Sequence, residues 1–82
     1  MKTKQRLYKV FAKAFEIPVE AVNDELQYQQ IAEWDSMSHL VLISELESFY
    51  DISIGMEDVL EMNNVQRVRE VLHSKYGVVI EH

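Results

Sequence analysis

One stretch, residues 33 to 47, constrains the fold of this chain more than any other. After Asp35 the sequence is rich in aliphatic side chains, and neither Gly nor Pro occurs before Gly55, so the composition favours a long helix. The Asp35 carboxylate can accept the free amide hydrogens of a first turn, which predicts that the helix begins directly after it. Ser36 then occupies the first helical position, beside a loop. A covalent phosphate is stabilised there by about 0.3–1 kcal/mol through the helix dipole and finds unpaired amides nearby.

This helix is apolar on two opposite sides when its residues are placed at about 100° intervals. The first arc is predicted to face the core, and it comprises His39, Leu42, Ile43, Leu46, Phe49 and Tyr50. The second arc comprises Met37, Leu40, Val41 and Ser44, with Glu45 and Glu47 at its flanks. A chain of 82 residues has few elements that can cover both sides. The helical wheel alone therefore leaves two alternatives for the second arc, burial or an exposed docking surface.

Charge is distributed unevenly along the chain. The net charge is −6, yet five of the eight basic residues precede Glu16, and no Lys or Arg lies between Ile17 and Gln66. The acidic residues of that span repel the phosphates of nucleic acids and attract basic protein surfaces. The simpler interpretation is a solvated face that serves solubility. Because Ser36 and the second arc lie within the same span, we favour a surface that docks proteins.

The segment before this helix is predicted to contain one amphipathic helix and a long connection. The helix runs from Thr3 to Phe15 and is ended by Ile17-Pro18, since the residue before proline avoids helical dihedrals. A single turn at Pro18 precedes the connection, which is expected to be anchored by Leu26, Tyr28 and Ile31. Trp34 is expected to pack as a lid over the start of the central helix, the alternative being contact with a group attached to Ser36 or with a partner protein.

The segment after the central helix is predicted to hold two more helices. An extended loop at residues 51 to 55 leads to a short helix from Met56 to Met62, and a last helix begins after Asn63-Asn64 and stops at Gly77. The buried stripe of the last helix comprises Val65, Val68, Val71 and Leu72. Residues 78 to 80 are apolar and β-branched, and no element is assigned to them. No Cys occurs, which excludes disulfides and thiolate metal sites.

A hydrolytic triad is a competing interpretation, because Asp35, Ser36 and His39 lie together in the sequence. It is disfavoured, since the Asp35 carboxylate is expected to cap the helix and no Gly-rich loop offers an oxyanion hole. His39 is expected instead at the edge of the core. A calcium loop after the central helix also fails, because Met56 and Met62 stand where such a loop needs Gly and Glu.

The motif Asp35-Ser36-Met37, together with the pattern that follows it, resembles the acyl carrier protein family. The further matching positions are Leu40, Leu42-Ile43, Leu46-Glu47, Phe49, Ile52, Ile54, Asp58-Val59, Val65 and Val68. The resemblance covers the chain from about Leu7 to Leu72. It implies an all-α fold, a four-helix bundle with three main helices and a short third helix, as a single acyl carrier domain over residues 1 to 82.

By this resemblance, Ser36 carries a phosphopantetheine arm taken from coenzyme A, and Asp35 belongs to the same cofactor site. The arm holds acyl intermediates as thioesters and shuttles them between enzymes, so the protein itself is not an enzyme. The implied partners are a phosphopantetheinyl transferase, which uses magnesium, and acyl-loading and acyl-transferring enzymes with basic docking surfaces. The expected partner-facing strip comprises Met37, Leu40, Val41, Glu45 and Glu47. We expect a free-standing, cytoplasmic monomer that inserts into no membrane and binds no nucleic acid.

The sequence leaves the cargo open. Met37 replaces the Leu that is usual in the family, Glu33-Trp34 replaces the small Gly-Ala pair of fatty-acid carriers, and Ser38 and Val41 stand at positions that are often acidic. These differences favour a specialised pathway, such as polyketide or specialised lipid assembly, over primary fatty-acid synthesis. The alternatives are a peptidyl or aminoacyl carrier, including a D-alanyl carrier, and an unmodified acidic interaction domain. A short apolar cargo is expected to enter between the second and third helices, near Leu46, Ile54, Val59 and Met62.

Overall fold

The computed structural model of the protein describes residues 3 to 78. Within this range the chain forms α1 (Thr3–Phe15), a 3-10 turn (Val19–Ala21), α2 (Ser36–Tyr50), α3 (Met56–Glu61) and α4 (Val65–Tyr76). The predicted all-α fold and the predicted helix order are confirmed. Val79 and Ile80, to which the sequence assigned no element, lie outside the described residues. None of the helices between residues 3 and 78 has the length and apolarity needed to cross a membrane.

The start of α2 lies where the sequence predicted it, because Asp35 caps the helix. Its Oδ1 atom accepts the Ser38 amide at 2.9 Å, while the Asp35 backbone is extended. The helix ends at Asp51, which adopts a left-handed backbone with φ 56° and donates its amide to the Glu47 carbonyl. Ser36 is thus the first residue of a 15-residue helix.

The core contains an aromatic cluster between α1 and the start of α2. Trp34 is fully buried, and its ring centroid lies 5.7 Å from that of Phe11 and 4.9 Å from that of Phe15. Its ring also stacks on that of His39 in α2, with the centroids 6.1 Å apart, so the prediction that Trp34 packs over the start of α2 is confirmed. The alternative, contact with the arm or a partner, is wrong, because no part of the Trp34 side chain reaches the surface.

Backbone hydrogen bonds fix the long connection before α2 to the start of α4. The Tyr28 amide donates to the Asn63 carbonyl at 2.8 Å, and the Val65 amide donates to the Leu26 carbonyl at 2.9 Å. Leu26 is buried, while Tyr28 and Ile31 are half-buried against the core, so all three predicted anchors are confirmed. The connection therefore has a defined course, and this course brings Tyr28 to the first turn of α2.

α4 supplies the buried stripe that its sequence predicted, and its four members are Val65, Val68, Val71 and Leu72. The side chain of Asn64 accepts the Arg67 amide at 2.6 Å and so caps the start of the helix. At the other end Gly77 adopts φ 69° and donates its amide to the last turn, a backbone conformation that glycine adopts without strain. Both predicted ends of α4 are confirmed.

Polar contacts to α4 were not predicted from the sequence. The buried Asp58 of α3 accepts hydrogen bonds from Lys75 Nζ at 2.6 Å and from the Tyr76 hydroxyl at 2.5 Å. These two bonds lower the pKa of the Asp58 carboxyl, so the group is charged at neutral pH and joins α3 to α4. In a second contact, Arg69 Nη1 donates to Asp24 Oδ1 at 2.7 Å and ties α4 to the long connection.

The prediction that Phe49 faces the core is wrong, since this side chain is 51% exposed. A helical wheel records the direction of a residue about the axis but not its position along it, and Phe49 lies in the last turn of α2. The groove beside it is lined by long basic side chains, including Arg6 and Lys13, and no core fills it. Tyr50 is half-buried, and the other members of the first arc are buried or half-buried as predicted.

Candidate functional site

The Ser36 side chain is exposed at the junction between the long connection and α2. Its Oγ atom lies 2.8 Å from the hydroxyl oxygen of Tyr28, in a hydrogen bond that either group can donate. Tyr28 was predicted only as an anchor of the connection, and its contact with Ser36 was missed. Tyr28 and Ser36 are eight residues apart, and no local sequence pattern predicts their contact, because it depends on the hydrogen bond between the long connection and Asn63.

His39 is held by two hydrogen bonds that occupy both of its ring nitrogens. Nδ1 accepts the Trp34 indole Nε1–H at 3.0 Å, and since an indole nitrogen only donates, this Nδ1 carries no hydrogen. Nε2 then carries the hydrogen and donates to the Val59 carbonyl at 2.9 Å. The predicted core-edge histidine is confirmed, and no ring nitrogen remains to activate Ser36 as a triad would require.

Asp35 places a negative charge beside Ser36. The hydrogen bond from the Ser38 amide lowers the pKa of the Asp35 carboxyl below its ordinary value of 3.8, with further contributions from the Ser38 hydroxyl and the Met37 amide. The carboxylate is therefore ionised at neutral pH. The amide of Ser38 already serves Asp35, so one first-turn donor fewer is open to a phosphate on Ser36 than the sequence suggested.

A small cavity is bordered by Tyr28, the hydrogen-bond partner of Ser36. Its volume is about 130 Å³, and it is lined by Tyr28, His39, Val59, Leu60 and Asn63. The cavity lies between α2, α3 and the long connection, the region where the sequence predicted entry of a short apolar cargo. Of the four residues named for that cargo, Val59 borders the cavity, whereas Leu46, Ile54 and Met62 are buried.

The second arc of α2 is exposed, which excludes burial, the first of the two alternatives left by the helical wheel. Met37 is 78% exposed, Leu40 59% and Val41 45%. On α3, Met56 and Leu60 are exposed as well, although the sequence did not indicate this. We call Met37, Leu40 and Val41 the exposed apolar arc. Its contact with partner proteins stays a prediction.

The two acidic residues at the flanks of this arc have partners within the chain. Glu45 Oε1 lies 3.5 Å from Lys13 Nζ of α1, an exposed ion pair of a kind that contributes about 0–1 kcal/mol to stability. Glu47 Oε2 accepts the Ile54 amide at 2.8 Å. Glu45 can therefore leave Lys13 and pair with a basic side chain of a partner protein at a small cost in free energy. Glu47, in contrast, also holds the loop between α2 and α3.

A larger groove, of about 490 Å³, lies between α1 and the last turns of α2, and Arg6, Lys9 and Lys13 line it together with Phe49. Phe49 follows Ser36 by 13 residues in the same helix, a separation of about 20 Å along the axis. The Phe49 end of the groove is therefore distant from Ser36, although Glu45 also lines the groove. Between residues 3 and 78 there is no cluster of three or more His, Asp or Glu side chains that could hold a metal ion.

Comparisons with known proteins identify the family and a similar fold over most of the chain. The family described as phosphopantetheine attachment site matches residues 5–72. The solution structure of a holo acyl carrier protein from Geobacter metallireducens is similar in fold, with a TM-score of 0.78 and 27% sequence identity over 94% of this chain and 88% of that chain. No curated protein sequence matches the chain.

Proposed function

This chain belongs to the family of phosphopantetheine-attachment domains, and on that premise we propose that Ser36 is the attachment residue and that the cargo is an acyl intermediate of a specialised biosynthetic pathway. The protein is a carrier and not an enzyme, and phosphopantetheine is its covalent prosthetic group. When bound, this group supplies a terminal thiol that holds the cargo as a thioester.

The observation that carries the assignment is the exposed Ser36 hydroxyl in the first turn of α2. A single neutral hydrogen bond to Tyr28 restrains it, and such a bond contributes only about 0.5–1.5 kcal/mol, so a transferase can displace it. The cavity that Tyr28 borders offers space to a chain attached at Ser36. Ser38 is a poorer candidate, because it is half-buried and its amide is bound to the Asp35 carboxylate.

Intact-protein mass spectrometry tests the attachment residue. The protein is incubated with coenzyme A, magnesium and a broad-specificity phosphopantetheinyl transferase, alongside the variants Ser36→Ala and Ser48→Ala. Ser48 is an exposed serine of the same helix, so it controls for the loss of a surface hydroxyl. We expect one phosphopantetheine increment on the wild type and on Ser48→Ala, and none on Ser36→Ala. An increment that persists in Ser36→Ala would overturn the assignment.

The exposed apolar arc is the surface that we propose for docking. Carrier domains of this kind interact with a phosphopantetheinyl transferase and with biosynthetic enzymes. Met37, Leu40 and Val41 offer the apolar contact, and Glu45 and Glu47 lie at its flanks. No Lys or Arg occurs between residues 17 and 66, so the field of this span favours basic partner surfaces. Charge of this kind raises the association rate and the selectivity more than the affinity, which suits a carrier that must leave each partner.

The specialised pathway, such as polyketide or specialised lipid assembly, is supported by two positions of the sequence. Trp34 stands where fatty-acid carriers of the resembling family have a small residue, and Val41 stands where they are often acidic. The side chain of Trp34 is fully buried in the core, so the replacement of a small residue by Trp affects how the core is packed. Mass analysis of the thioester cargo on protein isolated from its own cells tests the proposal. A specialised acyl group is expected, and an amino acid would refute it.

A further inference from the structure

We propose that the Tyr28 hydroxyl is a phosphate-binding group of the modified protein. In the unmodified chain it pairs with the Ser36 hydroxyl at 2.8 Å. Once Ser36 carries a phosphodiester, the same hydroxyl donates its hydrogen to a non-bridging phosphate oxygen and holds the root of the arm at the cavity between α2 and α3. This inference rests on the proposed function, because it takes Ser36 as the attachment residue.

The chemistry of Ser36 Oγ requires a change of partner at Tyr28. As a hydroxyl, Oγ both donates and accepts, but as a phosphate ester it has no hydrogen and its oxygen is a weak acceptor. The non-bridging oxygens share a negative charge, and hydrogen bonds to charged acceptors are shorter and roughly twice as strong as neutral ones. Only the phosphorus atom separates the non-bridging oxygens from Oγ, so a donor that now contacts Oγ is within reach of them after a rotation of the Ser36 side chain.

Other partners for this phosphate are scarce near Ser36. The Asp35 carboxylate is charged and repels it, and the Ser38 amide already serves that carboxylate. No Lys or Arg occurs between residues 17 and 66, a span that includes the long connection, α2 and α3. The Tyr28 hydroxyl is therefore an uncharged donor in an acidic surrounding, and it contacts the very oxygen that is modified.

The position of the Tyr28 ring is set by the protein and not by its contact with Ser36. Its backbone amide is bound to the Asn63 carbonyl. Its ring centroid lies 6.5 Å from that of Trp34 in an edge-to-face arrangement and 5.4 Å from that of His39. The hydroxyl is thus held in place before modification, which lowers the entropic cost of binding the phosphate. Because the ring also lines the cavity with Val59 and Leu60, a phosphate bound to Tyr28 directs the arm towards these side chains.

The test is phosphorus-31 NMR on holo protein, with Tyr28→Phe as the variant and Tyr50→Phe as the matched control. Tyr50 also loses one hydroxyl, but it lies at the other end of α2, and its hydroxyl has no hydrogen-bond partner among the described residues. Intact mass first confirms that all three proteins carry phosphopantetheine. We expect Tyr28→Phe to shift the phosphorus resonance and to lose nuclear Overhauser contacts between the pantetheine methyl groups and Leu60. Tyr50→Phe should change neither.

A phosphorus resonance and arm contacts that are the same in Tyr28→Phe and in the wild type would overturn the inference. A second measurement needs no variant: the carbon-13 shift of Tyr28 Cζ should change when the wild-type protein is modified, and an unchanged shift would also overturn it. Failure of the proposed function is a separate result, since it appears in the first step as the absence of a phosphopantetheine increment on Ser36.

Discussion

Leu40 and Leu42 provide a direct comparison between the exposed and the buried side of α2. The two residues lie in the same helix, yet Leu40 is 59% exposed and Leu42 is fully buried. Truncation of a buried Leu to Ala costs about 2–5 kcal/mol, since it removes apolar contact and leaves a cavity. Truncation at Leu40 removes a partly solvated side chain, and Ala is the better helix former, so we expect a loss of no more than about 0.5 kcal/mol.

These magnitudes translate into melting temperatures that are easily separated. In a domain of this size, 1 kcal/mol corresponds to about 4–8 °C. Leu42→Ala should therefore melt at least about 8 °C below the wild type, whereas Leu40→Ala should stay within about 4 °C of it. Thermal unfolding followed by circular dichroism measures both variants under one set of conditions.

The same pair of variants tests the docking role of the exposed apolar arc. If Leu40 contacts the transferase, its truncation should cost about 1–2 kcal/mol of binding in the transition state, a decrease in kcat/KM of roughly 5- to 30-fold. Leu42→Ala, assayed at a temperature at which it is folded, should retain a kcat/KM near that of the wild type. A Leu40→Ala protein that is destabilised as much as Leu42→Ala, or that is modified at the wild-type rate, would refute the reasoning.

Three further predictions follow from particular contacts. The hydrogen bonds from Lys75 and Tyr76 lower the pKa of Asp58 from 3.8, so the stability they contribute is present above that pH and is lost as the pH falls through the lowered folded pKa. Asp58→Asn should therefore lose less stability on acidification than the wild type. Equal losses, measured by urea titrations across this pH range, would contradict the assignment. Tyr50→Phe removes a hydroxyl that is buried without a hydrogen-bond partner among the described residues, so the free energy of unfolding should stay equal or rise by up to about 1 kcal/mol. A clear decrease in that free energy, measured by chemical denaturation, would show that the hydroxyl has a partner. Loading with a short apolar acyl group should raise the hydrogen-exchange protection of amides around the cavity that Val59 and Leu60 line, and identical protection in loaded and unloaded protein would place the cargo elsewhere.

The elements of the fold were predicted correctly where their signals are local. The Asp35 and Asn64 caps, the stop at Ile17-Pro18 and the left-handed Gly77 each act within one turn of the backbone. Such signals can be recognised from residue type and spacing alone. These signals correctly predicted where α2 and α4 begin, and therefore that Ser36 is the first residue of a helix.

The contacts that shape the site were missed, because they join residues that are distant in sequence. Tyr28 meets Ser36 only because the long connection is bound to the start of α4. Asp58 meets Lys75 and Tyr76 across a helix pair, and no periodicity predicts that meeting. Glu47 was assigned to the docking surface from its place on a wheel, and its bond to the Ile54 amide depends on how the following loop folds back.

The most direct test of the central claim is the location of phosphopantetheine by tandem mass spectrometry. Trypsin is unsuitable, because no Lys or Arg occurs between Lys13 and Arg67. A glutamyl endopeptidase that cuts after Glu33 and Glu45 releases a peptide that contains three serines, Ser36, Ser38 and Ser44. The account predicts that fragment ions place the whole increment on Ser36. An increment on Ser38 or Ser44, or a folded protein that the transferase leaves unmodified, would contradict it.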